Sequence, residues 1–500
     1  MLAWTVYISF LGAAVLLLLD PANQKAARTI ALLTAGMGLL VALAGVVQYQ
    51  AASGIVPVCD RVWIPSLGIR YHFAADGISL TLLLLTGIAA VVGILFSWNV
   101  AHRVKEFFAF YLVLIGGVYG VFLSFDLFLL FLFYELAIIP KYFLIAIWGS
   151  TDKEYGAMKL ALYSFVGSGM VLIGLIAAYV VAGGTTFDLV ELAKFPFPEP
   201  FQRWAFPLVF VGFAILAGLW PLHTWAPTGH VAAPTAASML LAGVVMKLGA
   251  YGALRAAMTL FPLGLAAWRD ALAVLAVIGI VYGAMVALVQ KDFKFVIGYS
   301  SVSHMGFVLL GLMTMTTIGL SGAVLQMFSH GIIAGLLFAV VGRMVYDRAH
   351  TRQLAELEKM NLHRAMPFAA FTFVVAGLAS MGLPGFSGFV AELQVLIGAW
   401  RAFPTLAVAS GLGIVIGIAY VIRTIQQSFF GAGAGAGAGA VSTLPAPGVW
   451  EPISVPERIG AAILMSITLL IGLRPSLLLD LIVPSLNSPL MSHLVKGGPL

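Results

Sequence analysis

The stretch "FLFYELAIIPKYFLIAIWG", Phe131 to Gly149, has the length and apolar character of a membrane span, yet it contains a carboxylic acid, Glu135. A charged side chain at the centre of a bilayer costs roughly 2.5–3.5 kcal/mol on insertion scales. Ionisable side chains at that depth usually mark ion routes or proton relays. The stretch therefore predicts a membrane helix whose acid has a chemical task.

The composition of the whole chain fits that interpretation. Of 500 residues, 61% are hydrophobic and 9% are charged, and the mean hydropathy is +1.05. Soluble domains carry about 25% charged residues. The net charge of +6 comes without a Lys/Arg cluster interleaved with aromatics, so we expect no nucleic-acid partner. The single cysteine, Cys59, excludes an internal disulfide and an iron–sulfur site.

Because a bilayer core of about 30 Å needs about 20 apolar residues per helix, the sequence predicts an all-α polytopic membrane protein with about fourteen spans. They are predicted near 3–19, 29–48, 79–99, 107–125, 127–149, 157–182, 205–223, 232–258, 271–289, 295–313, 317–345, 367–399, 404–428 and 457–477.

The predicted organisation has five parts. An N-terminal three-helix segment, 1–100, precedes two five-helix sets, 107–258 and 271–428. The Gly/Ala tract 431–440 is predicted to be a flexible linker to a C-terminal helix and tail, 457–500. The bias of Lys and Arg between the two sides places both termini outside the cytoplasm.

Two predicted spans, the seventh and the twelfth, contain residues that break helices. They are "GLWPLHTWAPTGHVAAPTAAS" (218–238) and "GLPGFSGFVAEL" (382–393). Each break lies in the fourth helix of its five-helix set, and an odd number of spans inverts the second set relative to the first. Matched breaks of this kind indicate two inverted repeats with a pathway near the midplane.

Five ionisable residues fall within apolar spans: Glu135, Lys247, His304, His330 and Glu392. Each alone could be a structural ion pair, or a histidine bonded to a carbonyl. Five on separate helices favour a proton route, because carboxylate, amine and imidazole change protonation with burial and with their neighbours.

Metal catalysis is a weaker alternative. His223 and His230 lie seven residues apart around proline, without an acid in the motif, and a water-lined bend or a helix cap explains them as well. The chain has no P-loop, no G-x-G-x-x-G fingerprint after a strand and no haem-attachment motif. We therefore expect neither a metal nor a cofactor on this chain.

Several motifs together resemble a known family. They are "DGISL" (76–80), "FYELAIIPKYFLIAIWG" (133–149), "PLHTWAPTGHVAAPTAASMLLAGVVMKLGAYG" (221–252), "YSSVSHMGFVLLG" (299–311), "QMFSHG" (326–331) and "LPGFSGFVAEL" (383–393). From about residue 70 to residue 430 the chain is similar to the antiporter-like M subunit (chain 4 type) of bacterial respiratory complex I, the proton-translocating NADH:quinone oxidoreductase.

The resemblance implies roles for single residues. Glu135 matches the acid of the fifth span, which gates proton transfer and couples to the neighbouring subunit. Lys247 matches the central lysine of the eighth span, and Glu392 matches the terminal ionisable residue of the twelfth, on the exit side. The remaining matches are to histidines of the hydrated axis and a basic residue at the start of the sixth span: His304, His330 and Lys159.

One departure from the family affects the mechanism. The family usually has a lysine, the partner of the fifth-span acid, five residues before the proline of its P-x-H-x-W motif, where this chain has Leu216. Its "PDAH" is changed here to 227–230, "PTGH". Glu135 then needs another partner, stays protonated, or pairs through water. Lys159 and His223 are the better candidates for this partner. Lys141 lies about 120° around the helix from Glu135 and should instead face a neighbour or snorkel.

The resemblance implies a proton-translocating subunit of an NADH:quinone oxidoreductase in the bacterial inner membrane. Flavin, iron–sulfur clusters and quinone would lie on partner subunits, and L- and N-type subunits would be its membrane neighbours. Alternatives are a subunit of a multisubunit cation/proton antiporter or membrane-bound hydrogenase, or a structural subunit with an inactive channel. An ordinary solute carrier is the general alternative, but no feature of the sequence identifies a substrate cavity.

Overall fold

The computed structural model describes residues 1–49, 54–431 and 450–496. The Gly/Ala tract that was predicted to be a linker lies, apart from its first residue, outside these ranges. Helices dominate. They are α1 Trp4–Leu18, α2 Gln24–Gln48, α3 Gly77–Phe96, α4 Val104–Leu123, α5 Leu127–Trp148, α6 Lys153–Val181, α7 Leu189–Leu192, α8 Glu199–Ala217, α9 Trp225–Ala232, α10 Thr235–Leu240, α11 Met246–Gly252, α12 Pro262–Val289, α13 Phe293–Met313, α14 Thr317–Phe338, α15 Asp347–Ala349, α16 Leu354–Leu357, α17 Leu362–Ala365, α18 Pro367–Ser380, α19 Ser387–Ala402, α20 Pro404–Phe429, α21 Val455–Leu473, α22 Ser476–Leu486 and α23 Ser492–Lys496.

Three stretches of π-helix join shorter α-helices into two long continuous helical runs. Leu241–Val245 and Ala253–Met258 flank α11, so that Thr235–Met258 is one run, and Ala339–Tyr346 extends α14 to Ala349. In each of these two runs, every residue of the most apolar 18-residue segment is buried. In the corresponding segments of α2, α20 and α21, only about a third of the residues are buried. The two runs therefore form the centre of the bundle.

Twelve helices in the described ranges are long and apolar enough to cross a membrane. Of the fourteen predicted spans, two correspond to shorter elements. The span predicted at 3–19 is α1, with 15 residues, and the span predicted at 367–399 is divided into α18 and α19. The polytopic all-α class is confirmed, and the number fourteen stays a prediction.

Both predicted breaks are present. Helix α8 ends at Ala217, its C-cap Gly218 has a φ of 87°, and α9 begins only at Trp225. Between α18 and α19, Gly382 and Gly385 have φ values of 71° and 98°. Glycine adopts this left-handed backbone without steric cost, which explains why the chain can turn at these two points.

A local pattern occurs once in each predicted five-helix set. Asp126 caps α5 and forms an isolated β-bridge with Asp188, the cap of α7. Asp292 caps α13 and bridges Gln353, the residue before α16. The repeated pairing supports two related sets, although the predicted repeat boundaries stay a prediction.

The predicted loop 49–78 contains an antiparallel hairpin that the sequence analysis missed. Its strands are β1 Val56–Ile64 and β2 Ile69–Ala75, and Phe73 also bridges Ser124 at the start of the connection to α5. The hairpin leads directly into Asp76, whose side chain accepts a hydrogen bond from the Ser79 amide and caps α3. It therefore covers one end of the bundle, where α3 begins.

A charged hydrogen bond holds this hairpin to the bundle. His72 Nδ1 lies 2.5 Å from Asp188 Oδ2, and both side chains are largely buried. Burial lowers the pKa of His72, but the bond to Asp188 and its charge outweigh burial and raise that pKa overall. Burial raises the pKa of Asp188, but the bond to His72 and backbone amides outweigh it and lower that pKa.

The pH dependence of this contact follows from the two shifts. Between the ordinary values of 3.8 and 6.5, Asp188 and His72 both contribute fully. The contribution of His72 is lost as the pH rises through its raised pKa, and that of Asp188 as the pH falls through its lowered pKa. We expect His72→Gln to cost about 1.5–3 kcal/mol near the acidic side of this window and less above neutrality. Thermal unfolding of the purified assembly at several pH values measures the difference.

His363→Gln is the matched control, because the His363 ring bonds the Phe429 carbonyl and not a carboxylate. An equal loss from His72→Gln at acidic and alkaline pH would contradict the ion-pair interpretation.

Candidate functional site: a buried row of titratable side chains

Lys247 lies in α11, between the two π-helical stretches, and is fully buried. Its Nζ donates a hydrogen bond to the Ala242 carbonyl at 2.5 Å, within the preceding π-helical stretch. The helical run that contains Lys247 approaches α14 closely. The approach is so close that a Cβ on Gly331 would lie 2.6 Å from the Gly243 carbonyl oxygen. Glycine at this crossing lets the two backbones touch, and small residues serve this purpose in membrane bundles.

This crossing brings His330 of α14 to Lys247. The Lys247 Nζ lies 2.7 Å from His330 Nδ1, and the imidazole is 97% buried, with 3% of its surface exposed. In the described ranges, His330 Nε2 has no hydrogen-bond partner. The second ring nitrogen is therefore available to exchange a proton with a neighbour on the other side of the ring.

That neighbour is His304 of α13. The two ring centroids are 5.5 Å apart, with 32° between the planes. His304 Nδ1 lies 2.8 Å from Glu392 Oε1, and His304 Nε2 lies 3.1 Å from Ser380 Oγ. The structure thus brings four of the sequence-predicted residues into one row, in the order Lys247, His330, His304 and Glu392.

The helix break of α18 and α19 positions the acid at the end of this row. Glu392 lies in α19 and is buried, and its Oε1 also accepts a hydrogen bond from Gln326 Nε2 at 3.1 Å. A Cβ on Gly382, in the turn between the two helices, would lie 3.3 Å from Glu392 Oε2. The turn between α18 and α19 therefore also lies beside the Glu392 carboxylate.

Glu135 is not part of the contiguous row. It lies on α5, half-buried, and its Oε1 has no hydrogen-bond partner in the part of the chain that the structure describes. No Lys, Arg or His of that part lies within ion-pair distance of it. The expectation that Lys159 or His223 pairs directly with Glu135 is therefore wrong for this structure.

The basic residues near the first break have other surroundings. Lys159 Nζ donates to the Thr228 hydroxyl at 3.2 Å, in the "PTGH" motif. Lys141 is 1% exposed, which excludes the alternative that it snorkels and agrees with the alternative that it faces a neighbour; its Nζ is unbonded in the described ranges. Leu216 is buried in α8. A hydroxyl thus receives the hydrogen bond of Lys159, and no cation is present at position 216.

In the part of the chain that the structure describes, His223 and His230 do not come together with other residues in a metal site. Both are buried, and none of their ring nitrogens has a partner among the described residues. Their rings contact aromatic side chains, Tyr282 for His223 and Phe338 for His230. Within the described ranges no group of three or more His, Cys, Asp or Glu could hold a metal ion.

Arg255 and Lys294 are among the buried charged residues that were not predicted as site residues from the sequence. Arg255 is fully buried at the end of the run that contains Lys247, and its Nη2 donates to the carboxylate of Asp76. Lys294 donates to the carbonyl oxygens of Val231 and Ala233, at the end of α9. The signals were present, since Arg255 falls inside the predicted span 232–258, and an Asp before an apolar run predicts the cap of α3.

Apolar helices with two internal breaks, surrounding buried lysine, histidine and glutamate side chains, define an antiporter-like membrane protein of the multi-pass type. The family model described as "NADH:quinone oxidoreductase/Mrp antiporter, TM" matches residues 124–417. The chain belongs to this family.

Similar proteins cover nearly the whole chain. NADH-quinone oxidoreductase subunit M of Rhodobacter capsulatus is 37% identical over 99% of this chain and 96% of its own length. A chain of respiratory complex I from Thermus thermophilus superposes with a TM-score of 0.88 at 28% identity, covering 99% of this chain and 100% of that one. A chain of the Mrp complex from Dietzia sp. has the same fold, with a TM-score of 0.85 at 22% identity and 99% coverage of both chains.

Because Glu135 has no ion-pair partner among the described residues, we predict that this acid contributes little to the stability of the fold. Glu457 is the matched comparison, because it is 1% exposed and bonds two arginines, Arg343 at 2.5 Å and Arg348 at 2.8 Å. Removing one member of a buried ion pair costs ~3–5 kcal/mol. We expect that cost for Glu457→Gln and less than ~1 kcal/mol for Glu135→Gln, measured by thermal unfolding. Equal destabilisation by both variants would identify Glu135 as a structural residue.

Proposed function

We propose that this chain is a membrane-arm subunit of an NADH:quinone oxidoreductase that moves protons across the membrane, while partner subunits carry out the redox chemistry. The observation that carries the proposal is the row from Lys247 to Glu392, built by side chains from four different helices. A structural role explains one buried pair, but four consecutive titratable groups have the composition of a proton relay.

Each contact of the row suits the transfer of a proton. A charged Lys247 donates to His330 Nδ1, and the protonated imidazole can release its other proton from Nε2. The step between the rings, 5.5 Å between centroids, needs one bridging water or a rotation of a ring. His304 then donates to Glu392, where the row ends.

Glu135 and Lys159 precede Lys247 in the first predicted five-helix set. We propose that Glu135 receives the signal from a neighbouring subunit and that Lys159, through Thr228, provides a positive charge beside the first break. The absence of a cation at Leu216 means that a direct acid–lysine pair cannot be the gate in this chain. The change at Glu135 has to be transmitted through reorganised water or through the Lys159–Thr228 contact.

The assembly and its location complete the proposal. L- and N-type antiporter-like subunits are the proposed membrane neighbours, and flavin, iron–sulfur clusters and quinone are proposed to lie on other subunits. The membrane is proposed to be the bacterial inner membrane, with both termini on the non-cytoplasmic side. The three-helix segment 1–100 and the sets 107–258 and 271–428 are the proposed units of the chain.

The Mrp antiporter fold supports a second candidate function, a subunit of a multisubunit cation/proton antiporter. In an antiporter, proton movement would depend on a Na⁺ gradient. In an NADH:quinone oxidoreductase, it would depend on the oxidation of NADH. A structural subunit with an inactive channel would show neither dependence at this chain.

Lys247→Ala tests the proposed route. Positioned proton donors and acceptors contribute about 10²–10⁴-fold to transfer rates, so loss of the amine should nearly stop the flux through this subunit. We expect fewer protons to be moved per NADH oxidised by the complex reconstituted in liposomes. Lys105→Ala is the control, because Lys105 Nζ bonds the Leu17 and Leu19 carbonyls, away from the row.

An unchanged proton-to-NADH ratio in Lys247→Ala would eliminate the conducting role and leave the structural alternative. A loss that appears equally in Lys105→Ala would be an assembly defect and would not support the route.

A further inference from the structure

A second charged cluster lies on the same run as Lys247. Lys247, Tyr251 and Arg255 follow one another at intervals of four residues, so they lie on one side of the helix. Arg255 lies about 12 Å from Lys247 along the axis, at 1.5 Å per residue. The Arg255 guanidinium bonds the carboxylate of Asp76, where the hairpin passes into α3. The cluster therefore separates the middle of the bundle from its hairpin end.

The cluster is buried and closely packed. Both charged side chains are at most 1% exposed, and the guanidinium lies 5.4 Å from the Phe125 ring centroid and 5.3 Å from that of Tyr251. Arg255 Nε and Nη1 have no hydrogen-bond partner in the described ranges. Asp76 is the one acidic partner of Arg255 among the described residues.

Tyr251 lies between Lys247 and Arg255 in the sequence, and its ring lies beside the Arg255 guanidinium. Its hydroxyl donates to the Phe122 carbonyl at 3.0 Å and lies 3.2 Å from Ser79 Oγ, in the first turn of α3. Polar groups are therefore present along the helix from Lys247 towards the hairpin. Without an interruption, they could form a second route for protons, parallel to the row through His330.

Arginine is the side chain that interrupts such a route. A guanidinium has five donors and no acceptor, and it does not lose its proton in proteins. A proton hopping along hydrogen bonds needs an acceptor at every step, and the guanidinium offers none; arginines also help to exclude protons in pores.

We propose that Arg255, held by Asp76 and enclosed by Phe125 and Tyr251, is a proton barrier that closes the hairpin end of the bundle. It forces protons at Lys247 to leave through His330, His304 and Glu392. This inference rests on the proposed function, since a barrier has a purpose only where protons reach Lys247. The Asp76 carboxylate holds the cation in place and acts as a positioning residue.

The double variant Asp76→Asn/Arg255→Gln tests the barrier. The two amides can keep a hydrogen bond between the helices and the cap on Ser79. They remove the guanidinium and the carboxylate together, so the net charge is unchanged, and they add proton acceptors where Arg255 offers none. We expect the passive proton conductance of liposomes containing the whole complex, without NADH, to rise clearly above that of the wild-type complex under an imposed potential.

Two matched variants separate the charge from the packing. Arg255→Lys keeps a donor-only cation and should keep the conductance low. Glu457→Gln breaks a buried pair elsewhere and should lose stability without a rise in conductance. A leak in Glu457→Gln, or none in the assembled double variant, would overturn the barrier.

A third variant links the leak to Lys247. Adding Lys247→Ala to the double variant should abolish the leak, because protons then no longer reach the barrier from the lysine. A leak that persists would overturn the inference. The proposed function is judged separately, by the protons moved per NADH in Lys247→Ala alone, so the two can fail independently.

Discussion

The contact between two glycines, Gly243 and Gly331, is the constraint on which the rest of the site depends. A side chain at either position would separate the two central helices, and the Lys247 amine would then lose the His330 ring. The amine is fully buried, and among the described residues its hydrogen-bond partners are the Ala242 carbonyl and that imidazole. Buried polar groups are costly unless they are hydrogen-bonded. The row from Lys247 to Glu392 follows from this requirement.

Much of this arrangement could be predicted from sequence, for identifiable reasons. The membrane class follows from the composition, and the two breaks follow from proline and glycine in apolar runs, since these residues interrupt helices whatever surrounds them. Lys247, His304, His330 and Glu392 could be found because a charge within an apolar span is rare. Their order in space could not be found from the residues, because it depends on which helices cross and where. The family resemblance implied a hydrated axis but no contact.

The predictions of contacts that were wrong or missing have a common physical cause. Lys159 and His223 were expected to pair with Glu135 because charges in lipid need partners, yet Lys159 bonds the Thr228 hydroxyl instead. The sequence shows which groups need a partner, and tertiary packing decides which one they meet. Arg255 was overlooked because it lies near the end of a span, where a cation usually extends to the membrane surface. Only the cap of α3, directly opposite, shows that it points to a buried acid.

The contrast between the central and the outer helices has a consequence for how this chain can diverge. Much of the surface of α2, α20 and α21 is exposed, so one apolar residue there can replace another at little cost to the packing of this chain. The apolar residues of the runs Thr235–Met258 and Thr317–Ala349 are buried against other protein residues. A substitution there that changes the side-chain volume by even one methylene group disturbs the packing. Mutational drift should therefore accumulate around the circumference of the bundle, while the axis changes only by concerted replacements.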